Sequence, residues 1–320
     1  MAGFLVLIGI IAPVFLIILL GYALARMGQV PPATIASNGR FVLNVLTPAV
    51  VFRALSGASL GTIARLDYLA VYSLGSLATF GLGYVWFRRG GGAGTGSAGI
   101  AVAAVRALGM SGANTAFIGL PILTQLYGAR AAGPIALNML FESFVLLPLL
   151  LALLEMGEGG HQSVSQTVRG VARNLMRSPL LWAIVLGTVC AATGWHLPPP
   201  LARTVDLLAG ASAALALVTI GAGLAGLVLA GRRATIATMV AGKLLLHPLL
   251  VLVLLALVPV ADPMFRSAAI LLATLPMFSM FPVFGQRVGD GDACSAAMLI
   301  AVVLSPLTLV VTMLLLGVHL

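Results

Sequence analysis

Residues 112–121 read GANTAFIGLP, and they interrupt a stretch that is otherwise apolar enough to cross a bilayer. Residues 275–282, LPMFSMFP, do the same near the other end of the chain. Proline removes a backbone donor and glycine lowers helix propensity, so both segments predict a broken helix. In hydrocarbon, broken backbone survives only where protein or a water-filled cavity covers its polar groups. The two segments are therefore candidate binding sites.

The composition around these segments is that of a membrane protein. Of the 320 residues, 61% are hydrophobic and only 8% are charged, and the mean hydropathy is +1.14. Soluble domains carry roughly 25% charged residues. The net charge of +9 does not indicate nucleic-acid binding, because the arginines lie mostly at the ends of apolar runs. Two cysteines, Cys190 and Cys294, are too few for a disulfide framework or a metal cluster.

Apolar runs of about 20 residues recur along the whole chain. We predict ten transmembrane spans at residues 4–25, 41–60, 67–87, 101–126, 133–155, 178–196, 201–229, 234–259, 266–288 and 293–317. Five spans fall within residues 1–155 and five within 178–320, with a polar linker at 156–177. Eleven arginines lie in connections after odd-numbered spans and five after even-numbered spans. The positive-inside rule then places the linker in the cytoplasm and both termini on the periplasmic side of the inner membrane.

The two halves repeat a spacing of helix-breaking residues. A Pro–Gly–Gly set with separations of eight and seven residues, followed by Pro-Pro, occurs twice: Pro13, Gly21, Gly28 and Pro31-Pro32, then Pro179, Gly187, Gly194 and Pro198-Pro199. Phe117-x-x-x-Pro121 is echoed by Phe278-x-x-x-Pro282. Because each half has five spans, the second must enter the membrane inverted, as in many secondary transporters. The predicted fold is all-α, with two inverted five-helix repeats and discontinuous crossing helices in spans four and nine.

Ionisable residues inside spans are functional candidates because their burial is costly. Lys243 is the only lysine, and His247 lies one helical turn further along span eight. We expect Lys243 to compensate the charge of an anion or to exchange a proton; the alternative is that it snorkels to the interface. For His247 the alternative to proton exchange is a single polar contact. Glu142, with Asn138 one turn earlier, is expected to pair with Lys243 or take up a coupling proton, or else to make a structural hydrogen bond.

Four segments resemble the auxin efflux carrier family: PVFLIILLGYALARMGQV (13–30), FVLNVLTPAVVF (41–52), GANTAFIGLPIL (112–123) and KLLLHPLL (243–250). Bacterial members of that family include carriers similar to malonate transporters, and its architecture resembles that of the bile-acid sodium symporters. The resemblance implies a scaffold of spans 1, 2, 6 and 7 beside a transport domain of spans 3–5 and 8–10. It also implies small organic anions, carboxylates especially, as substrates, and a homodimer as the assembly.

The resemblance places the substrate where spans four and nine cross. It implies roles for Asn114, Pro121, Pro276 and Pro48, the last on the scaffold side. Many family members have an asparagine in span nine, whereas MFSMFPVF offers only Ser279 as a polar side chain. The predicted substrate-binding residues are Asn114, Thr115, Phe117, Pro121, Pro276, Ser279, Met280 and Pro48. The predicted coupling or charge-compensating residues are Lys243, His247, Glu142 and Asn138.

These observations predict a secondary active transporter of a small organic anion, a malonate-like or auxin-like mono- or dicarboxylate, working by alternating access. We expect no cofactor or metal, and H⁺ rather than Na⁺ as a coupling ion, because the crossing has few of the oxygen ligands that a sodium site needs. Two alternatives are a cation/proton or sodium-coupled transporter of the same fold, and a membrane sensor that transports nothing. We do not expect an enzyme, since no nucleophile and base converge in the sequence.

Overall fold

The fold is described from a computed structural model of residues 2–57, 65–90, 92–94, 96–157, 173, 176–227 and 231–315. The regular structure within these ranges is helical, without a β-strand. The α-helices are α1 Ala2–Arg26, α2 Pro32–Phe41, α3 Thr47–Ser56, α4 Leu66–Arg89, α5 Gly96–Ser111, α6 Leu120–Tyr127, α7 Ala132–Phe141, α8 Leu147–Gly157, α9 Pro179–Thr193, α10 Pro199–Leu224, α11 Arg233–Ala241, α12 His247–Leu257, α13 Pro263–Ala273, α14 Phe281–Arg287 and α15 Gly291–Leu315. Four π-helical turns, Val42–Leu46, Thr115–Gly119, Glu142–Leu146 and Gly242–Leu246, join some of these helices end to end.

Six continuous helical stretches in the described residues are long and apolar enough to cross a membrane: Pro32–Ser56, Leu66–Arg89, Thr115–Gly157, Pro199–Leu224, Arg233–Leu257 and Gly291–Leu315. Shorter apolar helices accompany them. The longest stretch, Thr115–Gly157, turns back on itself at Gly128, whose positive φ of 58° ends α6. Glu142 thereby returns to the level of Thr115. The protein is a multi-pass membrane protein.

The outer surface is covered with large apolar side chains, as a lipid-facing surface requires. Leu19, Trp86, Leu257 and Leu307 each expose 60% or more of their surface. In water, contiguous apolar exposure of this kind marks an interaction surface or an aggregation hazard. In a bilayer it is the favourable state, because lipid tails are as apolar as leucine.

Some boundaries differ from the prediction. The second span, expected at 41–60, already begins at Pro32, because Pro31 is extended and Pro32 fits the first helical position. The fourth span, expected at 101–126, begins at Gly96. The linker predicted at 156–177 lies mostly outside the described residues.

Every π turn is followed, two positions after its end, by a proline: Pro48, Pro121, Pro148 and Pro248. Proline cannot donate to the carbonyl four residues back, and its ring crowds that carbonyl. The chain adapts by widening the turn just before each proline. Thus the N–H of Thr47 donates to the carbonyl of Val42, five residues back, and His247 donates to Gly242 in the same way. The helix continues past each proline, and the carbonyl four residues before the proline lacks the hydrogen bond that proline cannot donate.

The repeated Pro–Gly–Gly spacing has a partly repeated structure. Gly28 and Gly194 both have positive φ, 77° and 67°, and both follow the ends of apolar helices. Pro32 and Pro199 both occupy the first position of the next helix. The first prolines are not equivalent, because Pro13 lies inside α1 whereas Pro179 begins α9.

Helices α1 and α10 pack against each other through two glycines. A β-carbon on Gly221 would overlap the Ile18 carbonyl, and one on Gly21 would overlap the backbone of Val218. Small residues that allow backbones this close are a common device in membrane helix pairs, where van der Waals packing drives association.

We expect Gly221→Ala to lower the stability of the folded protein by about 1–3 kcal/mol, since overpacking an interior contact costs that much. The matched control is Gly210→Ala in the same helix, where an added β-carbon meets nothing within 4 Å. That change should be neutral or stabilising, because alanine has the higher helix propensity. Thermal unfolding of both purified variants measures the difference, and equal midpoints would contradict the packing argument.

Candidate functional site

The fourth and ninth predicted spans are both interrupted, and the interruptions meet. Helix α5 ends at Ser111 and helical structure resumes at Thr115, while α13 ends at Ala273 and α14 begins at Phe281. An isolated antiparallel bridge joins Ala113 to Met277. The N–H of Asn114 donates to the carbonyl of Pro276 at 3.0 Å. Each break therefore supplies hydrogen-bond partners for part of the backbone of the other. The backbone at the crossing is for this reason less exposed to a ligand than the sequence suggested.

One side-chain contact crosses the same junction. The hydroxyl of Ser279 donates to Oδ1 of Asn114 at 3.1 Å, so a serine serves as the polar partner from span nine. Asn114 is 1% exposed, and its Nδ2 has no hydrogen-bond partner. A buried donor left unpaired costs about 1–3 kcal/mol. The crossing thus keeps one amide donor available next to the Ser279 hydroxyl.

A cavity of about 940 Å³ adjoins this crossing. Phe117, Ser279 and Met280 form its wall on the crossing side. The other walls come from α1, α2, the first π turn, the end of α10, α14 and α15, with polar groups from Arg26, Arg40, Asn44, Thr219 and Gln286.

The structure divides the predicted substrate-binding residues into two sets. Three of them, Phe117, Ser279 and Met280, line the cavity. The others are buried behind its surface and are not among the lining residues: Asn114, Thr115, Pro121, Pro276 and Pro48.

In the cavity wall, Asn44 takes the place predicted for Pro48. Pro48 is buried, whereas Asn44, four residues earlier, is exposed in the cavity. Asn44 lies in the π turn that Pro48 induces, and its carbonyl is the one that Pro48 cannot bond. The signal was present in the segment NVLTP, where a polar residue lies one turn before a proline inside an apolar span.

Glu142 supports the crossing from the side. Its Oε1 accepts hydrogen bonds from the N–H of Ala113 at 3.2 Å and from the hydroxyl of Thr115 at 3.1 Å. Its carboxyl group therefore lies at the start of the helix that resumes at Thr115, where the helix dipole favours negative charge. This helix start is therefore already occupied by the side chain of Glu142.

Lys243 contacts His247, and the expected Glu142–Lys243 ion pair does not form within 4.0 Å. Lys243 is 0% exposed, so it does not snorkel to the interface. Its Nζ lies 2.7 Å from Nδ1 of His247, and Nε2 of that ring lies 2.9 Å from the hydroxyl of Ser76. Because one nitrogen of the Lys243–His247 pair must accept, the pair can hold one positive charge but not two.

Helix α4 brings the predicted coupling residues of spans five and eight together. The Tyr68 hydroxyl donates to Oδ1 of Asn138 at 2.8 Å. Tyr68 stacks on Tyr72 with ring centroids 6.2 Å apart, and the Tyr72 ring lies 5.7 Å from that of His247. The sequence analysis missed these tyrosines and Ser76, although their spacing of four residues places all three on one face of α4.

The position of Arg106 corrects the count of connection arginines that was used to predict the topology. It was counted among the connection arginines, but it is buried inside α5. Its Nε and Nη2 contact the two carboxylate oxygens of Asp290 at 2.7 and 3.0 Å, a bidentate pair that ties α5 to the α14–α15 connection. The guanidinium also lies 5.3 Å from the Phe87 ring centroid.

We expect Glu142→Gln to fold normally, since its amide oxygen still accepts from Ala113 and Thr115. Glu142→Leu removes both acceptors, and we expect it to lose about 1–3 kcal/mol of stability for the orphaned backbone donor. Thermal unfolding of the two purified variants distinguishes them. Equal stability of the leucine and glutamine variants would show that Glu142 does not support the crossing.

Comparisons with known proteins identify the family of the chain. A family model described as "Membrane transport protein" matches residues 6–313. The chain is 30% identical over 303 residues, covering 94% of this chain and 92% of the relative, to a protein of Rhizobium meliloti (strain 1021) named "Putative malonate transporter". It is 27% identical over 257 residues, 77% of each chain, to "Uncharacterized transporter YfdV" of Escherichia coli (strain K12). It is also 27% identical over 216 residues, 65% of each chain, to an "Uncharacterized transporter" of Methanothermobacter thermautotrophicus.

The family match covers nearly the whole chain, including both helix interruptions. The family match and the transporter-named relatives indicate transport rather than catalysis. The chain therefore belongs to the membrane transport protein family, the auxin efflux carrier family, and is a transporter rather than an enzyme.

Proposed function

We propose that the protein is a secondary active transporter of a small organic anion carrying a carboxylate, which binds where the two interrupted helices meet. The observation that carries the proposal is the unpaired Nδ2 of buried Asn114, held between the Pro276 carbonyl and Ser279 beside the 940 Å³ cavity. A carboxylate accepts hydrogen bonds, so a small side-chain reorientation would let it take up the free amide donor and the serine hydroxyl.

The cavity and its charges support an anionic substrate. Arg26 and Arg40 line the cavity together with Phe117 and Ser279. A cleft lined by positive charge concentrates anions at its mouth and speeds their entry. The named relative from Rhizobium meliloti adds malonate as a first candidate within this class.

We propose an inverted-repeat architecture of ten spans in two helix groups. Helices α1, α2, α3, α9 and α10 pack mainly on one another, as the scaffold would, and the remaining helices form a second group around the crossing. The matched helix ends at Gly28 and Gly194 support the repeat. The cavity lies between the groups, so a shift of one group against the other would change which side of the membrane it faces.

The proposed orientation follows from the arginines. By the positive-inside rule, Arg26 marks the cytoplasmic end of α1, and Arg40 lies in the first half of the continuous stretch Pro32–Ser56, which begins on the same side. The cavity that reaches these residues then faces the cytoplasm. In this orientation the structure represents an inward-facing state of an inner-membrane transporter with both termini in the periplasm.

For the coupling ion we propose H⁺, taken up by the group formed by Glu142, Lys243 and His247. Glu142 bonds directly to Ala113 and Thr115, which flank Asn114. Hydrogen bonds to a charged acceptor are about twice as strong as neutral ones. Protonating Glu142 would therefore loosen the same backbone that presents Asn114, which links proton uptake to substrate binding.

We expect Asn114→Ala to weaken carboxylate binding at least about tenfold, because a hydrogen bond to a charged group contributes about 1.5–3 kcal/mol. Binding of malonate and of simple monocarboxylates to the purified protein, followed by isothermal titration, measures this. The matched control is Asn38→Ala in α2, a residue outside the cavity lining. Unchanged affinity in the Asn114 variant would rule out the crossing as the substrate site.

We expect Lys243→Met to abolish proton-driven uptake into proteoliposomes while leaving an apolar side chain of similar length in the buried position. Counterflow exchange of labelled substrate, which needs no gradient, should survive better than driven uptake. If driven uptake were unchanged, Lys243 would have no coupling role. If the wild-type protein bound substrate but transported none, the sensor hypothesis would replace the transporter.

A further inference from the structure

A groove on the outer face of the protein runs between two helices that the proposed transport site does not use. It is formed by α11 with its π turn and by α15, and its volume is about 660 Å³. Residues spaced three or four apart on each helix face one another across it. We name it the lipid groove; its residues are Gly231, Arg233, Ile236, Ala237, Val240, Ala241, Leu244, Leu245, Ala296, Ile300, Leu304, Leu307 and Thr308.

We propose that the lipid groove binds one anionic phospholipid, with an acyl chain along the helices and the headgroup at the arginine end. From Arg233 to Leu245 the groove spans twelve residue-to-residue steps, or about 18 Å at 1.5 Å per step. One leaflet of a bilayer core is roughly 15 Å thick, half of about 30 Å. The groove therefore matches one leaflet in length, and its walls are aliphatic along that length.

The groove is accessible from the bilayer. Leu245 and Leu307 are 64% and 65% exposed, and Leu304 is 43% exposed. These side chains border a concave surface and leave it unfilled by other parts of the described chain. An acyl chain fits such a channel, because it is flexible and gains van der Waals contacts with both walls.

The polar end of the groove continues into a second pocket of about 490 Å³. Gly231 lines both spaces, and its lack of a side chain leaves the junction open: its φ is +115°, and a β-carbon there would press on Ala293. The second pocket is polar, with Arg232, Thr235, Gln286 and Asp292 around the Arg106–Asp290 pair. A glycerophosphate headgroup can hydrogen-bond to such a lining.

The balance of charge at this end favours an anionic headgroup over a zwitterionic one. Arg106 and Asp290 neutralise each other. Two positive charges, those of Arg232 and Arg233, are accompanied by one negative charge, that of Asp292. In the described residues, no ion pair within 4.0 Å joins either arginine to a carboxylate. One positive charge is left over. Basic pockets between membrane helices on the cytoplasmic side bind anionic headgroups, and each arginine near the surface contributes about 1 kcal/mol.

The lipid groove shares a π turn with the buried Lys243. Leu244 and Leu245, in the lipid groove, belong to the π turn Gly242–Leu246, which also carries Lys243. A bound acyl chain would pack on the outer face of the turn that holds Lys243 against His247. Lipid binding itself does not depend on the proposed transport function, although an effect of lipid on transport rate would.

The test is titration of the detergent-purified wild-type protein with dioleoyl phosphatidylglycerol or dioleoyl phosphatidylcholine, with the thermal unfolding midpoint as readout. We expect a saturable rise for phosphatidylglycerol at concentrations where phosphatidylcholine gives little. Arg233→Gln should weaken apparent phosphatidylglycerol affinity about fivefold, the loss expected of one arginine. The matched control is Arg266→Gln, an exposed arginine at the start of α13 outside the groove.

A second variant tests the acyl channel without changing charge. Leu304→Trp fills the middle of the groove and should remove the saturable response to phosphatidylglycerol. Equal responses of the wild-type protein to the two lipids would overturn the proposal. So would an equal loss in the Arg266 control, or wild-type lipid affinity in the tryptophan variant. Should Arg233→Gln fail to fold, the tryptophan variant decides alone.

Discussion

The structure depends on one constraint: a peptide group exposed by a broken helix inside a membrane must find a partner within the protein. Spans four and nine meet this constraint together. The N–H of Asn114 bonds to the Pro276 carbonyl, and Ala113 bridges Met277. Each break satisfies part of the backbone of the other, so the crossing is a structural unit. Its unpaired donor, the Asn114 amide, is the group that we propose binds a substrate.

The buried charged side chains are also paired within the protein. The Glu142 carboxyl group lies at the start of the helical stretch that begins at Thr115. Lys243 contacts His247, one turn further along its own helix. Each charged group is thus held by partners near it, and none is left in bare hydrocarbon, where burial is costly. Helix α4 contacts Asn138, one turn before Glu142, through Tyr68 and contacts His247 through Tyr72 and Ser76. In the proposed mechanism, a change of protonation here acts on the crossing through Glu142, without the ion entering the cavity that we propose for the substrate.

Local sequence rules accounted for the positions of the helix interruptions but did not predict the π turns. Each π turn lies just before a proline, at Pro48, Pro121, Pro148 and Pro248. Pro13 and Pro306 lie inside helices without a π turn, so proline alone does not determine where a turn widens. The same rules did not reveal which side chains face the cavity. Pro48 was chosen for the wall, yet Asn44 reaches it, because a π turn shifts the helical phase by one residue and rotates the neighbouring side chains.

The sequence by itself determined that the chain is an all-helical membrane protein, where its helices break, and which buried residues can carry charge. Composition and local backbone chemistry suffice for these conclusions. Only the tertiary structure decided the partners: Glu142 with Ala113 instead of Lys243, Ser279 with Asn114, and Arg106 with Asp290, 184 residues away. The physical reason is that hydrogen bonds depend on distances of a few ångströms between elements far apart in the chain, and no local pattern encodes those distances.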